Sequence, residues 1–164
     1  MATMTLEAEG ASADVEPDAA PRRSLRILIV EDEAISALCF EEAAQGLGHE
    51  VVETADTGKR AIAAAEQHRP DLVLMDVRLR DGTDGIEAAN TIRESWDIPS
   101  IFVTANSDPV TIARTKAARP LIDPLIKPVS PTLIRYALDH AAELLARGST
   151  VRRAAEQPPT AASR

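Results

Sequence analysis

The stretch ILIVEDE (residues 27–33) decides the fold, because an apolar run leads directly into three consecutive acids. An apolar run followed directly by charged residues is typical of a strand that is buried up to its last residue and then reaches solvent. Glu31, Asp32 and Glu33 at that strand tip repel one another and resist burial. We therefore expect something positively charged to be held there, and the rest of the chain indicates what.

The composition excludes several classes of function for this chain of 164 residues, which is the length of one domain. A net charge of −8 disfavours binding to nucleic-acid phosphates or anionic membranes, and 2% aromatic residues argue against base stacking. The single cysteine, Cys39, leaves no internal disulfide and no CxxC metal site. With no signal-peptide pattern and no apolar run of membrane-spanning length, we predict a cytoplasmic protein with neither nucleic-acid nor membrane partners.

The two ends of the chain differ in composition from its centre. Residues 1–24 are rich in alanine and acids without apolar periodicity, and we interpret them as a disordered acidic tail. Residues 148–164, which end in Pro-Pro and Ala-Ser-Arg, are interpreted as a second disordered tail. The folded domain is therefore predicted at residues 25–147.

Between the tails, short apolar runs alternate with amphipathic stretches. Strands are predicted at 26–30, 49–55, 71–76, 99–105 and 121–127, and helices at 34–47, 57–68, 85–96, 108–117 and 131–146. Five rounds of strand then helix indicate an α/β fold, a doubly wound parallel sheet with helices on both faces. In such sheets, function lies at the carboxyl ends of the strands.

Five polar residues close the predicted strands and would meet at one edge of the sheet: Glu31, Asp32, Asp76, Thr104 and Lys127. Three carboxylates in one place are unfavourable unless a divalent cation bridges them, and hard oxygen ligands suit Mg²⁺. Asp76, which closes the central strand, is then placed to attack phosphorus and form an acyl phosphate. Lys127 and the Thr104 hydroxyl could contact the phosphoryl oxygens. The pattern predicts a magnesium-dependent phosphorylation site.

Each of these residues has a simpler interpretation when taken alone. Asp32 before a helix could be only an N-cap, and Asp76 only a solvated strand end. Thr104 is β-branched and favours a strand in any case. Their joint occurrence at four strand ends is what favours function. Outside the site, Cys39 is predicted to be a small core residue, and His49, His68 and His140 are predicted to be solvated.

Here the chain resembles the receiver domain of two-component response regulators. The segments ILIVEDE, LVLMD, IFVTA and LIKP occur in that family's order and near its spacing, over residues 26 to about 146. The resemblance implies a flavodoxin-like receiver fold of five parallel strands in the order 2-1-3-4-5. It also implies that Glu31 and Asp32 are the acidic pair, with Asp32 a direct metal ligand.

The same resemblance assigns the remaining site residues. Asp76 is implied as the phospho-acceptor and a metal ligand, and the backbone carbonyl of Arg78 as a further Mg²⁺ ligand. Thr104 is implied as the switch hydroxyl and Lys127 as the phosphate-binding lysine, whose bond to Pro128 is typically cis in the family.

Two segments depart from the family pattern. The loop DVRLRDGTDG (76–85) is one residue longer than usual and lacks the usual proline. Pro124 stands three residues before the lysine, where most receivers carry a Tyr or Phe that swings inward when the switch hydroxyl moves. Both features are similar to a subgroup found with histidine kinases of alphaproteobacterial stress and light signalling. Aromatic coupling cannot operate through Pro124.

The leading hypothesis is a stand-alone receiver, phosphorylated on Asp76 by a histidine kinase or histidine phosphotransferase in a phosphorelay. It is expected to catalyse only its own phosphorylation and dephosphorylation, and so not to be an enzyme. Its output is expected to be protein–protein interaction with a downstream regulatory protein, or service as a phosphate sink, as a monomer or weak dimer. One alternative is a degenerate receiver that is a constitutive protein-binding module. Another is a hydrolase built on Asp76, for which the sequence offers no general acid.

Overall fold

The computed structural model describes residues 23–155, and its sheet has five strands. They are β1 (Arg26–Val30), β2 (Glu50–Ala55), β3 (Leu72–Asp76), β4 (Ser100–Thr104) and β5 (Leu125–Ile126). All pairs are parallel, and the order is β2-β1-β3-β4-β5. The helices between and after them are α1 (Ala34–Gly46), α2 (Gly58–His68), α3 (Gly85–Trp96), α4 (Pro109–Ala117) and α5 (Pro131–Ala155). The predicted fold class and strand order are confirmed.

Alternate residues of the central strands face two separate cores, as the two-residue period of a strand requires. In β1, Ile27 and Ile29 face the core covered by α1 and α5, whereas Leu28 and Val30 face the core under α2 and α3. Both β3 and β4 are buried over their full length. The apolar runs in the sequence thus correspond to strands covered on both faces.

The N-termini of four helices are fixed by side-chain caps, which satisfy backbone N–H groups left free by the first turn; before α5, the Ser130 hydroxyl accepts from the Leu133 N–H at 3.1 Å. Thr57 accepts from the Arg60 N–H before α2. Asp84 accepts from Ile86 N–H before α3, and Asp108 caps α4. The residue before α1 is Glu33, which makes no side-chain cap. Asp32 is therefore not the N-cap of α1, and that simpler interpretation of Asp32 is wrong.

The last strand is shorter than predicted. Instead of spanning 121–127, β5 contains only Leu125–Ile126, paired with Val103 and Thr104 of β4. Pro124 lacks an N–H group, so it cannot extend the hydrogen-bond ladder in the N-terminal direction. An isolated bond from Leu121 N–H to the Ser100 carbonyl, 2.9 Å, holds the start of this segment against the sheet.

The described residues extend a little beyond both ends of the predicted domain 25–147. Helix α5 continues to Ala155, so the first eight residues of the predicted tail 148–164 are helical; the Arg and Ala residues that close this stretch are good helix formers. At the other end, Arg23 pairs with Asp71 at 2.8 Å and Ser24 donates to the Gly48 carbonyl at 2.6 Å, so the ordered part includes these two residues. The remainders of the predicted tails, 1–22 and 156–164, lie outside the described residues.

Helix α1 packs on the sheet through a face that does not include Cys39. Its buried residues are Ala37, Phe40, Ala43 and Ala44. The prediction that Cys39 is a core residue is wrong: it is exposed, as are Ile35 at 75% and Leu38 at 55%. Ile, Leu and Cys scattered around an Ala-rich helix give two competing apolar stripes, and the bulky Phe40 selects the stripe that packs on the sheet.

The environment of His49 also differs from the prediction. Its side chain is buried, and Nδ1 accepts a hydrogen bond of 3.2 Å from the Leu25 N–H. Burial lowers the pKa of His49, against a smaller opposing effect of Asp139. His49 is thus a neutral structural residue at the edge of the sheet.

Across the part of the chain that the structure describes, the helices are too short or too polar to cross a bilayer.

Candidate functional site

The site lies at the carboxyl edge of the sheet, where β1, β3 and β5 end. Glu31 directly follows β1, and its N–H donates to the Ala55 carbonyl of β2 at 2.9 Å. Asp76 is the last residue of β3. Lys127 directly follows β5, and its N–H donates to the Thr104 carbonyl at 2.8 Å. Main-chain hydrogen bonds to the neighbouring strands therefore fix the backbone positions from which the Glu31 and Lys127 side chains extend.

Three carboxylates form a cluster at this edge. Glu31, Asp32 and Asp76 each offer an oxygen, and these oxygens all lie within 4.8 Å of one another. Glu31 and Asp76 are buried, and Asp32 is half-buried. The structure thus brings together the three acids that the strand-end pattern selected.

Lys127 neutralises two of the three acids. Its Nζ atom lies 2.7 Å from Glu31 Oε2 and 2.8 Å from Asp76 Oδ2. Both carboxylates are almost fully buried, with side-chain exposures of 1% and 7%. A lysine in this position replaces the hydration that the two carboxylates lose.

The pKa values at the cluster follow from burial and this ammonium group. Burial raises the pKa of Glu31, the neighbouring Asp76 charge raises it further, and the hydrogen bond from Lys127 offsets only part of the rise. Burial alone would lower the pKa of Lys127, but its hydrogen bonds to Asp76 and Glu31 outweigh burial and raise it. Lys127 is accordingly charged throughout the physiological range.

The Asp76 carboxylate is oriented from two sides. Its Oδ1 atom accepts a bond of 3.0 Å from the Arg78 N–H, and its Oδ2 atom accepts from Lys127. Both donors fix the orientation of the carboxylate, which is the nucleophile of the predicted reaction. The predicted role of the Arg78 carbonyl as a metal ligand stays a prediction.

The donor set of the cluster fits a small divalent cation. Carboxylate oxygens are the hard ligands that Mg²⁺ prefers, and Mg²⁺ is commonly bound by few protein groups with waters completing its coordination. Half-buried Asp32 lies on the solvent side of the two buried acids, where a hydrated ion could enter. Glu31, Asp32 and Asp76 would hold the ion, which would neutralise the excess negative charge of the cluster.

Gly85 is a site residue that the sequence reasoning missed. A Cβ atom added at Gly85 would lie 1.9 Å from the Asp76 carbonyl oxygen and 2.9 Å from its carbonyl carbon. The Gly85 N–H donates to the Val77 carbonyl at 3.0 Å, so the start of α3 is tied to the end of β3. Only glycine allows this approach. The available signal was the second glycine of DVRLRDGTDG.

Thr104 is buried at the end of β4 but does not donate to the acids in this conformation. Its hydroxyl donates to the Asn106 carbonyl at 3.2 Å and accepts from the Asn106 N–H at 3.0 Å. The hydroxyl therefore closes the turn after β4. The implied cis bond between Lys127 and Pro128 is present.

A second feature missed by sequence reasoning joins the loop after Asp76 to α4. Asp84 caps α3 through Oδ1, and its Oδ2 atom pairs with the Arg114 guanidinium of α4. The buried face of α4 consists of Thr111 and Thr115, which give little apolar area. An ion pair between residues 30 positions apart leaves no local sequence signal.

Comparison with known proteins places these features in context. Residues 27–139 match the family model described as the response regulator receiver domain. The phyllosphere-induced regulator PhyR of Methylorubrum extorquens is 42% identical over 80 residues, which are 48% of this chain and 30% of PhyR. The transcriptional regulatory protein PdtaR of Mycobacterium tuberculosis is 38% identical over 115 residues, 70% of this chain and 54% of PdtaR. The chain therefore spans about half the length, or less, of these curated relatives.

Solved structures agree with the sequence matches. The crystal structure of the response regulator PhyR from Brucella abortus is 34% identical and superposes with a TM-score of 0.68, covering 82% of this chain and 53% of that chain.

Proposed function

Because the chain belongs to the response regulator receiver domain family, we propose that it is a signalling switch phosphorylated on Asp76 in a magnesium-dependent reaction. The PhyR matches agree with the alphaproteobacterial subgroup that the sequence resembles. The phosphoryl donor is a histidine kinase or a histidine phosphotransferase. Apart from its own phosphorylation and dephosphorylation, the protein is not an enzyme.

The observation that carries this proposal is the environment of Asp76. One carboxylate at the centre of an acid cluster is held by Lys127 and by the Arg78 N–H, at 2.8 Å and 3.0 Å. Phosphoryl transfer needs positioning and charge neutralisation more than covalent chemistry from other residues. A single oriented carboxylate beside a fixed ammonium group supplies both.

The reaction follows from that arrangement. An Asp76 oxygen attacks the phosphorus of the phosphohistidine, the phosphorus–nitrogen bond breaks, and the imidazole leaves with the bonding electron pair. The product is an acyl phosphate on Asp76. Bound Mg²⁺ supplies charge neutralisation for the phosphoryl oxygens. Lys127 remains near Asp76 and contacts a phosphoryl oxygen of the product.

The signal leaves through the region after β4. Phosphate on Asp76 offers the Thr104 hydroxyl a charge-assisted acceptor, which competes with its bonds to Asn106. Pro124 carries no aromatic ring, so the change passes directly to the loop after Thr104 and to α4. The threonine-lined packing of α4 favours such a rearrangement, since it provides little apolar stabilisation.

The output is contact with another protein, either a downstream regulator or a relay partner for which this chain is a phosphate sink. PhyR from Brucella abortus is described as a response regulator, and PdtaR as a transcriptional regulatory protein. The degenerate receiver that binds a partner constitutively remains the alternative, because Pro124 removes the usual aromatic switch. The Lys127 contacts to Asp76 and Glu31 favour a working phosphorylation site.

Phosphorylation is tested by incubating the protein with acetyl phosphate, with and without Mg²⁺, and measuring the intact mass. The proposal predicts a gain of one phosphoryl group only with Mg²⁺, and no gain in Asp76→Asn. The matched control is Asp81→Asn, a nearby exposed carboxylate of the same loop, which should still be phosphorylated. Phosphorylation of Asp76→Asn, or none in the unaltered protein, would refute the assignment.

The output is tested by amide hydrogen exchange with and without beryllofluoride, an analogue of the phosphoryl group. Residues 105–120 should change their exchange rates because α4 and the preceding loop respond to Thr104. Changes confined to the loops that bear the acids would contradict this route and favour the constitutive binding module.

A further inference from the structure

The loop between β3 and α3 carries a second cation at the acid cluster, Arg80. Its Nε atom lies 3.6 Å from Asp32 Oδ2. The Arg80 side chain is 78% exposed, whereas that of Asp32 is only 15% exposed. Arg80 therefore reaches in from solvent to the acid that lies on the open side of the cluster.

The charges of the cluster divide between two cations. Lys127 donates short hydrogen bonds to Glu31 and Asp76, at 2.7 Å and 2.8 Å. Within the described residues, Asp32 forms an ion pair with Arg80. Three carboxylates thus face one ammonium and one guanidinium group. The Lys127 side chain is only 19% exposed, whereas that of Arg80 lies largely in solvent.

We propose that Arg80 competes with the divalent cation for Asp32 and so lowers the magnesium affinity of the site. The inference rests on the proposed magnesium site. Asp32 is the accessible carboxylate of the cluster, and a divalent ion held by it would share that carboxylate with the Arg80 guanidinium, whose Nε atom is 3.6 Å away. Like charges at that separation repel, so Arg80 must leave Asp32 when the metal binds.

Two features of Arg80 suit a displaceable competitor rather than a fixed part of the site. Its long side chain is largely in solvent, so it can swing away without leaving a cavity. Its separation from Asp32 exceeds the Lys127 contacts by nearly 1 Å, so the ion pair is the weaker one. Lys127, which is half-buried and hydrogen-bonded to two acids, cannot yield in the same way.

The consequence is a raised magnesium threshold for phosphorylation. In the metal-free protein Arg80 partly neutralises Asp32, which stabilises the form that cannot yet receive a phosphoryl group. Only Mg²⁺ at sufficient concentration displaces it. The loop that contains Arg80 also bears Asp76 and Arg78, so displacement of Arg80 and assembly of the metal site occur in one segment.

The test measures Mg²⁺ affinity directly, by isothermal titration calorimetry and by the Mg²⁺ dependence of the melting temperature, without any phosphoryl donor. Arg80→Gln should bind Mg²⁺ roughly three- to tenfold more tightly, as expected when a unit charge near a divalent ion is removed in a largely solvated setting. Arg80→Lys keeps the charge and should stay within about twofold of the unaltered protein. The difference should shrink in high salt.

Arg93→Gln is the matched control. Arg93 lies on α3 and pairs with Asp97 at 3.3 Å, beside Asp71 and Pro99 at the opposite edge of the sheet. The Arg93→Gln substitution removes the same charge at the opposite ends of the strands, where salt screens its effect on the acid cluster. The Mg²⁺ affinity of this variant should change by less than about twofold.

Each outcome decides the inference. Tighter binding in Arg80→Gln alone supports it. Equal or weaker binding in Arg80→Gln overturns the role of Arg80 while leaving the magnesium site intact. Equal tightening in Arg80→Gln and Arg93→Gln overturns it in favour of a general charge effect. No binding in any of these proteins, including the unaltered one, overturns both this inference and the proposed magnesium site.

Discussion

Replacing Gly85 by alanine tests how closely the start of α3 must approach the phospho-acceptor. The added Cβ atom would lie 1.9 Å from the Asp76 carbonyl oxygen and 3.2 Å from Met75 Cγ. Contacts of a Cβ atom under 3.0 Å essentially never occur, so α3 and the end of β3 would have to separate by more than 1 Å. The first obstacle is main chain, which no side-chain rotation can relieve.

The cost follows from that displacement. Overpacking of a buried site costs about 1–3 kcal/mol, and the Gly85–Val77 hydrogen bond of 3.0 Å would weaken as well. We therefore expect Gly85→Ala to lower the free energy of unfolding by about 3 kcal/mol, measured by urea denaturation. It should also slow phosphorylation of Asp76, since the displaced segment is the one that orients its carboxylate.

Gly46→Ala is the matched control for the same chemical change. At Gly46, the last residue of α1, an added Cβ atom would meet only Arg135 Nη2 at 3.7 Å, an ordinary contact. Alanine is favoured over glycine in a helix by about 1 kcal/mol, so this variant should be unchanged or slightly more stable. A Gly85→Ala protein within 0.5 kcal/mol of the unaltered one, as a rough limit of surface effects, would refute the close-approach argument.

Three further perturbations test separate contacts. Lys127→Met should lower the free energy of unfolding, measured by urea denaturation, by about 3 kcal/mol at neutral pH, because Glu31 and Asp76 lose their counter-ion. Part of this lost stability should be regained at pH about 5, since burial raises the pKa of Glu31 and its protonation relieves the repulsion between the two acids. A loss that does not depend on pH would contradict this. Burial lowers the pKa of His49 in the folded protein, so the free energy of unfolding should decrease as the pH falls below about 6.5, the unfolded value, towards the lower pKa of the folded state. Urea denaturation at two pH values should show a smaller decrease in His49→Asn than in the control His140→Asn, which replaces an exposed histidine. Equal decreases in the two variants would contradict this. Arg114→Gln should speed amide exchange in α4, because the pair with Asp84 ties that helix to the loop after Asp76; unchanged exchange would show that the pair does not hold α4.

The strand ends could be predicted from the sequence because they depend on local pattern. Apolar runs that stop at Glu31 and Asp76 mark both a buried strand and its exposed end. Parallel topology then brings these ends together without knowledge of any single contact. Lys127 was found in the same way, and the structure places its ammonium between two of the predicted acids.

The features that were missed depend on tertiary packing. Cys39 is exposed rather than in the core because Phe40, the next residue of α1, packs against the sheet in its place. His49 is buried through its contact with Leu25, 24 residues away. Arg80 looks like an ordinary loop arginine, and only the folded loop brings it to Asp32.

The central claim is that Asp76 itself takes the phosphoryl group. Borohydride reduces an acyl phosphate to the alcohol, so a phosphorylated aspartate becomes homoserine, which peptide sequencing by mass spectrometry locates. Trypsin should release residues 61–78, because Arg69 precedes a proline, and this peptide contains both Asp71 and Asp76. After acetyl phosphate, Mg²⁺ and borohydride, the account predicts homoserine at position 76 and an unmodified Asp71; homoserine at any other position, with Asp76 intact, would contradict it.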